Sequence, residues 1–444
     1  MNVTLHIGID DTDSPNGGCT TYIAALAVET LVKRFNAEFI DYPNLIRLNP
    51  NVPWKTRGNG AVCIRIRVKE DKLKELKEEI VNLVRENADL NHPKTSPAVA
   101  FCHSEVPPLI TKFAKKAIQG LVSVEEAEKI AIDEGIDVIR IKGNRGTIGA
   151  LAAVGETLIG DHTYELITYR KPENIGSPRK IDVDSVRLMN RLTYPLTFNN
   201  IDPQTGRVLL TPHGPDPILY GVRGETPYVV RKARELIKVY EDIERWVIFR
   251  TNQGTDAHLK KLENPLEVKP YHPVVIRGVV CRAPITISGG HVILTIKSEG
   301  ITLNCAAYEP TGNFRKVIRD LLPGDEVEVY GGVRDYIPPT INLEKILILK
   351  LVPRVTKVNP RCQYCGKRMK SMGVGKGFKC INCGIRNFTL NKEEVELPRN
   401  IKLGLYIPPP RAQRHLTKPY TRYGIERELK EFIRPAKDFW GLQV

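Results

Sequence analysis

Val3-Thr4-Leu5-His6-Ile7-Gly8-Ile9-Asp10-Asp11-Thr12-Asp13-Ser14-Pro15-Asn16-Gly17-Gly18-Cys19-Thr20-Thr21 decides how the first third of this 444-residue chain folds. Val3, Leu5, Ile7 and Ile9 recur with the period of two that marks a strand with one buried face. The strand delivers Asp10, Asp11 and Asp13 to its C-terminal end. Pro15 and Gly17-Gly18 force an irregular loop. After it Ile23, Ala24, Leu26, Ala27, Leu31 and Phe35 recur at helical spacing, with Thr20 or Thr21 expected as N-cap. A strand, an acidic loop and a helix start can hold a nucleotide, because carboxylates suit Mg2+ and free N–H groups suit phosphate oxygens. Asx turns and a plain helix cap account for the same residues without a ligand. Neither a Walker glycine-lysine motif nor a kinase signature occurs.

Lys and Arg number 66 against 51 Asp and Glu, a net +15 that favours a polyanionic partner, nucleic acid first. With no run of 18 apolar residues and no signal peptide ahead of Asp10, a soluble cytoplasmic protein without a membrane partner is expected. Nothing implies a protein partner. Of the nine cysteines, Cys19, Cys63, Cys102, Cys281 and Cys305 are scattered singly and expected reduced.

Lys55-Thr56-Arg57-Gly58-Asn59-Gly60-Ala61 runs into the strand Val62 to Ile66 and reads as a phosphate-contacting loop or as a solvated basic turn. Residues 70–88, 107–119 and 123–134 read as helices, and 98–102, 137–141 and 163–170 as strands. The strand at 137–141 leads into Lys142-Gly143-Asn144-Arg145-Gly146-Thr147-Ile148-Gly149-Ala150, where a second helix N-terminus could face an anion. Close helix packing explains Gly149 and Ala150 equally well. Alternation of strands and helices through residue 170 indicates an α/β domain. A smaller α+β domain follows, with helices at 182–192 and 226–243 and strands at 206–210 and 245–250. Between them Pro215-Asp216-Pro217 and Gly221-Val222-Arg223-Gly224 frame a rigid loop whose one acid, Asp216, suits a cationic ligand.

From Tyr271 the texture becomes β-rich. Runs at 274–282, 290–297, 301–308, 325–334 and 340–349, with a helix at 311–321 between the third and fourth, have the OB-fold order. Arg282, His291, Lys297, Tyr308 and Tyr336 are its nucleic-acid-facing candidates. Cys362-Gln363-Tyr364-Cys365 and Cys380-Ile381-Asn382-Cys383, each followed by glycine, supply four thiolates for a closed, structural Zn2+ site. The cations between the knuckles make this ribbon a phosphate-contacting surface. Residues 407–423 mix prolines, cations and aromatics, as in an extended RNA-contacting arm or a plain tail. Ile425 to Phe432 has helix-forming composition and returns to the fold.

Gly8-Ile9-Asp10-Asp11-Thr12-Asp13 with Cys19-Thr20-Thr21, Arg47-Leu48-Asn49-Pro50, the 55–61 loop, Pro215-Asp216-Pro217 with Gly221-Val222-Arg223-Gly224, the OB-fold and the ribbon together resemble the archaeal tRNA(Ile) 2-agmatinylcytidine synthetases, along essentially the whole chain. The resemblance implies a multidomain α/β plus α+β protein. Its parts are an ATP-binding, threonine-dependent kinase-like domain (1–170), a ferredoxin-like domain with the agmatine site (171–268), an OB-fold (269–355), a zinc ribbon (356–395) and a C-terminal RNA-contacting segment (396–444). It implies a ligase that uses ATP and Mg2+ to attach agmatine to C2 of the wobble cytidine of the isoleucine tRNA with anticodon CAU, cleaving ATP to AMP and phosphates. By position, Thr20 matches the family's autophosphorylated threonine. Asp10, Asp11 and Asp13 are then expected as metal ligands, and Lys55, Arg57, Gly58, Gly60, Gly143, Arg145, Gly146, Thr147 and Gly149 as ATP contacts. Asp216, Gly221 and Gly224 are expected at agmatine, and Cys362, Cys365, Cys380 and Cys383 on zinc. A noncatalytic single-strand-binding protein and a small-molecule kinase with fused RNA-binding domains are the alternatives.

Overall fold

The computed structural model describes residues 1–429 and 431–442, a mixed α/β chain built on one eleven-stranded sheet, one barrel-like sheet and two small sheets. Asn2–Asp10 lies centrally in the first half of the large sheet, antiparallel to both Gly60–Lys69 and Ala98–His103. The alternation that reads as α/β is therefore packed on antiparallel strand pairs here.

The two faces of this half differ in residue size, and the difference sets what covers them. Leu5, Ile7, Ile9, Val62, Ile64, Ile66, Val99 and Phe101 point to one core, shared with the helices Thr20–Lys33 and Leu73–Asn87. Ala61, Cys63, Ala98 and Ala100 point to the other, where the helix Gly146–Gly155 packs. That helix is apolar all round and buried along most of its length, as a core helix should be. Small side chains let it come close to the sheet. A Cβ on Gly8 would lie 2.1 Å from the Ala150 carbonyl oxygen, and one on Gly146 would lie 2.3 Å from that of Ser96. Close packing thus accounts for the glycines of the 143–149 stretch.

Asn44–Arg47 joins the halves of the sheet through a short parallel pairing with Ile243–Thr251. Thr163–Arg170, expected to close the first domain, lies instead in the second half, between Ile243–Thr251 and Ile218–Gly224. Every residue of this strand is buried, so it needs neighbours on both edges and cover on both faces. Residues 206–210 form no strand, only a single bridge from Val208 to Ile201, and the helix expected over 226–243 spans Pro227–Leu236.

Pro273–Thr286, Val292–Ser298, Ile301–Ala307, Glu326–Arg334 and Thr340–Lys350 close a barrel in the order first, second, third, fifth, fourth, first. The third and fifth strands run parallel and the other neighbours antiparallel. Phe314–Arg319 lies between the third and fourth.

The C-terminal segment is not a free arm. Gly404–Tyr406 pairs with the last barrel strand, and Trp440–Leu442 returns to pair with Ile243–Thr251. In between, Leu416 and Thr417 are buried and Arg411 reaches the carboxylate of Asp202 at 2.8 Å. Prolines here fix an extended path over the surface, while buried arginines anchor it. The helix expected over 425–432 is absent through 425–429, and Lys430 lies outside the described residues. Among the described residues no helix is long and apolar enough to cross a membrane.

Arg422 is the deepest anchor. It is 0 % exposed, donates to Glu225 Oε1 at 2.7 Å and Asp161 Oδ1 at 2.8 Å, and also reaches the carbonyl oxygens of Gly254 and His162. Arg422→Met leaves Glu225, itself 0 % exposed, as an uncompensated buried charge. Breaking such a pair costs ~3–5 kcal/mol. Thermal unfolding should show a clearly lowered midpoint, and an unchanged one would contradict the assigned role.

Candidate active site

The chain reverses sharply after Ile9, and the reversal separates the carboxylates. Asp11 has φ +56°, a left-handed conformation that aspartate tolerates better than most residues. Asp10, Asp11 and Asp13 all border one cavity of about 440 Å3, but each faces a different neighbour. Asp10 lies against the helix start at Gly149, where a Cβ would meet its Oδ2 at 1.8 Å. Asp11 accepts from Arg145 Nε at 2.9 Å and Nη2 at 2.7 Å. Asp13 sits 3.2 Å from Arg57 Nε.

Burial dominates their proton affinities. It raises Asp10 well above the usual carboxylate range, helped by repulsion from Asp11 and Asp13. It also raises Asp11 against the pull of Arg145, and pushes Asp13 up to about 6 in spite of Arg57. Crowded, desolvated carboxylates of this kind favour any bound cation that relieves them.

Thr20 does not cap the first helix. Cys19 occupies that position without a side-chain cap bond, and Thr20 is the first helical residue, 6 % exposed. Its Oγ1 lies 2.9 Å from Thr12 Oγ1 and it borders the cavity, so the hydroxyl is oriented without being used by the helix.

Arg57 ties the cavity together. Besides Asp13, it donates to the carbonyl oxygens of Ser14, Gly17 and Gly18 and reaches Asp216 Oδ2 at 3.2 Å. Asp216 is buried and its other oxygen lies 3.1 Å from Arg179 Nη2, so two arginines of this chain already hold it.

Lys55, Gly58, Gly60, Gly149 and Gly221 also border the cavity, whereas Gly143, Gly146, Thr147 and Gly224 do not. Gly146 and Thr147 are buried under the sheet, and a Cβ on Gly224 would meet the Leu196 carbonyl oxygen at 2.9 Å. At Gly58 and Gly60 the space of the missing Cβ is taken by Arg47, whose Nη1 lies 2.6 and 2.9 Å away. At Gly221 it is taken by Glu165 Oε1, also 2.9 Å away. These glycines make room for side chains of the site.

Arg47, Glu165, Arg223 and His415 are among the cavity residues that motif reading did not assign to the site. The Nε of Arg47 is buried without a partner. Arg223 Nε reaches Glu165 Oε1 at 3.1 Å, and its Nη2 donates to His415 Nδ1 at 2.9 Å. The positive charges of Arg47, Arg223 and Arg414 hold the His415 imidazole well below its usual proton affinity. Arg47 and Arg223 lie inside quoted motifs, but His415 comes from the C-terminal segment and carries no spacing signal.

In the ribbon, the four Sγ atoms of Cys362, Cys365, Cys380 and Cys383 lie within 4.8 Å of one another. Four converging thiolates from two hairpin knuckles fit a tetrahedral Zn2+. Among the described residues no other set of three or more ligating side chains converges in this way, the three aspartates included.

Three family models match the chain: the TiaS TCKD domain over residues 6–143, the TiaS FLD domain over 144–258 and the TiaS C-terminal zinc ribbon domain over 359–401. TiaS of Pyrococcus horikoshii, an isoleucine-tRNA 2-agmatinylcytidine synthetase, is 46% identical over 436 residues, covering 97% of this chain and 99% of its own. The chain belongs to the TiaS family. The Archaeoglobus fulgidus TiaS is 43% identical over 95% of this chain and 98% of its own. Among solved structures, apo TiaS superposes with TM-score 0.87 at 42% identity, covering 95% of this chain and 98% of that one. A complex of TiaS with isoleucine tRNA, AMPCPP and agmatine superposes with TM-score 0.85 at 39% identity, covering 96% and 99%.

The packing that sets Asp10 gives a direct test. Gly149→Ala must move either the carboxylate or the helix, an overpacking cost of ~1–3 kcal/mol. Gly160→Ala, with nothing within 4 Å of its added Cβ, is the matched control and should be neutral. Thermal unfolding of the two variants checks the contrast, and equal midpoints would refute it.

Proposed function

We propose that this chain is an ATP-dependent tRNA-modifying ligase that attaches agmatine to C2 of the wobble cytidine of the isoleucine tRNA with anticodon CAU. ATP is cleaved to AMP and phosphates. Near-full-length similarity to TiaS carries the reading. The cavity supports it by gathering acids, arginines and an unspent hydroxyl from separate parts of the chain. The kinase-like unit, expected over 1–170, is read as ending sooner, since Thr163–Arg170 hydrogen-bonds with Ile243–Thr251 and the TiaS FLD model begins at residue 144, and the ferredoxin-like unit follows it to residue 268. The barrel is read as an OB-fold. Residues 356–395 are then the ribbon and 396–444 the closing segment.

A pyrimidine C2 carbonyl is a poor electrophile with a poor leaving oxygen. Phosphorylating that oxygen turns it into a leaving group, and the agmatine amine then displaces it as phosphate. Cleavage of ATP to AMP frees two phosphoryl groups in this reading: the C2 oxygen takes one and leaves with it as phosphate, and the Thr20 hydroxyl takes the other and releases it to water as phosphate. Arg57 and Arg145 stabilise phosphoryl charge, each already held in place by a carboxylate. Mg2+ is usually bound through one or two carboxylates together with substrate phosphates, so it would be held by a subset of Asp10, Asp11 and Asp13, and when bound it neutralises charge on the phosphates. The four ribbon cysteines would hold a structural Zn2+. Asp216 would take the agmatine guanidinium through Oδ2 once phosphate draws Arg57 away. Incubation with ATP, Mg2+, agmatine and tRNA transcripts differing at the wobble base, followed by nucleoside mass analysis, tests the reading. Only the cytidine transcript should gain the mass of agmatine less water, and no gain would defeat it.

Thr20→Ala should keep its fold and tRNA affinity but lose ATP-dependent self-labelling, because no cap bond is removed. Thr20→Ser retains a hydroxyl and should label in part. Equal labelled phosphate on Thr20→Ala would transfer the role to Thr21 or Thr12.

Asp216→Asn should weaken agmatine by ~1.5–3 kcal/mol, the worth of a charged hydrogen bond. Titrations of agmatine and of ATP separate two roles. An agmatine anchor affects agmatine more, whereas a residue that only holds Arg57 affects ATP at least as much.

A further inference from the structure

Three cations from three separate parts of the chain come close enough beside the cavity for their charges to interact. Lys55 borders the cavity beside the half-exposed Trp54. Arg334 ends the fourth barrel strand, and Arg414 precedes the cavity residue His415 in the C-terminal segment. Two contacts bracket Lys55. On one side the Asn51 side chain fills the space above Gly332, 2.2 Å from where a Cβ would stand, two residues before Arg334. On the other side His415 Nε2 lies 3.3 Å from the Cβ position of Gly58. The Lys55 ammonium, partly buried, is held below its usual proton affinity by burial and by the charges of Arg414 and Arg334.

Among the described residues no carboxylate forms an ion pair with this group, and the counter-charge that Arg414 feels, Glu344, is already bound to His258. Of the cations deeper in the cavity, Arg57, Arg145 and Arg223 each have a carboxylate partner, whereas Arg47 forms no ion pair among the described residues. Among the described residues Lys55, Arg334 and Arg414 form no ion pair and donate no side-chain hydrogen bond. Like charges held together without counter-charge weaken a fold unless a polyanion supplies it. A free nucleotide would need only the inner arginines. Cations spread across three elements with an exposed indole next to one of them suit a single strand, whose phosphates take the charges while a base stacks on the ring.

We infer that Lys55, Arg334 and Arg414, with Trp54, form a collar that grips the phosphodiester backbone flanking the nucleotide inserted into the cavity. The inference rests on the RNA-substrate reading above and assigns Lys55 to the RNA, away from ATP. These are positioning residues that act on the backbone and carry no base recognition. The collar also requires the C-terminal segment to be seated, because Arg414 arrives with His415.

The test measures tRNA affinity of the full chain and of Lys55→Gln, Arg334→Gln and Arg414→Gln across a salt series. Each variant should bind roughly tenfold more weakly at low salt, as for loss of one charged contact. Each should also flatten the slope of log affinity against log salt by about 0.7. The loss should be the same for transcripts with cytidine or uridine at the wobble position. Trp54→Leu should lower affinity without changing the slope. An unchanged salt slope in all three charge variants overturns the inference. So does a loss of ATP affinity by Lys55→Gln that equals its loss of RNA affinity. Salt slopes that fall as expected uphold it even if nucleoside analysis finds no agmatine product, which would defeat the reaction alone.

Discussion

The site depends on how closely the helix Gly146–Gly155 can approach the central strand Asn2–Asp10. Three glycines permit that approach, Gly8 and Gly146 against backbone carbonyls and Gly149 against the Asp10 carboxylate. With the helix seated, Arg145 at its start reaches Asp11 across the cavity wall. The acidic loop then lies beside the first turn of the helix Thr20–Lys33, where the Thr20 hydroxyl meets that of Thr12. Pairing, helix placement and acid placement are one packing solution, and none can shift alone in an interior packed to crystal-like density.

Much of this was legible in the sequence, for reasons that are local. The alternation of Leu5, Ile7 and Ile9, the two cysteine knuckles and the five β-rich runs each report a period or spacing fixed by backbone geometry. The acids, Thr20, Arg57 and Asp216 were legible as unusual residues beside glycine and proline. Glycine itself misled. Gly58, Gly60, Gly149 and Gly221 read as openings for a ligand, but in each the space belongs to another side chain or to close packing. The sequence shows that a Cβ is missing and not what occupies its place.

Long-range partners were the other gap. No spacing rule connects His415 to Arg223, 192 residues earlier, or Arg422 to Glu225. Composition made 407–423 look like an arm because its prolines and cations lack a hydrophobic period. Its order comes instead from buried arginines that find carboxylates on other elements, Asp202 for Arg411 and Asp161 with Glu225 for Arg422. Buried ion pairs add little net stability compared with apolar residues, yet they penalise any other seating of the segment by leaving charge unpaired. Here that penalty seats the segment that brings His415 to the cavity.

The same accounting explains why most charges inside the cavity are paired and the cations beside it are not. Asp11 with Arg145, Asp13 and Asp216 with Arg57, and Glu165 with Arg223 are desolvated in advance. In the proposed reaction a phosphate that took Arg57 and a cation that took Asp13 would exchange partners with groups already held in place. Such groups need little reorganisation, which is the condition under which fixed dipoles and charges act most strongly. Beside the cavity the balance is reversed. Lys55, Arg334 and Arg414 remain wet enough to tolerate being unpaired, and their field reaches solvent within the ~8–10 Å that salt allows. The paired groups thus set what reacts, through exchange of partners, while the cations beside the cavity set what arrives, through charge that is satisfied only when a polyanion is in place.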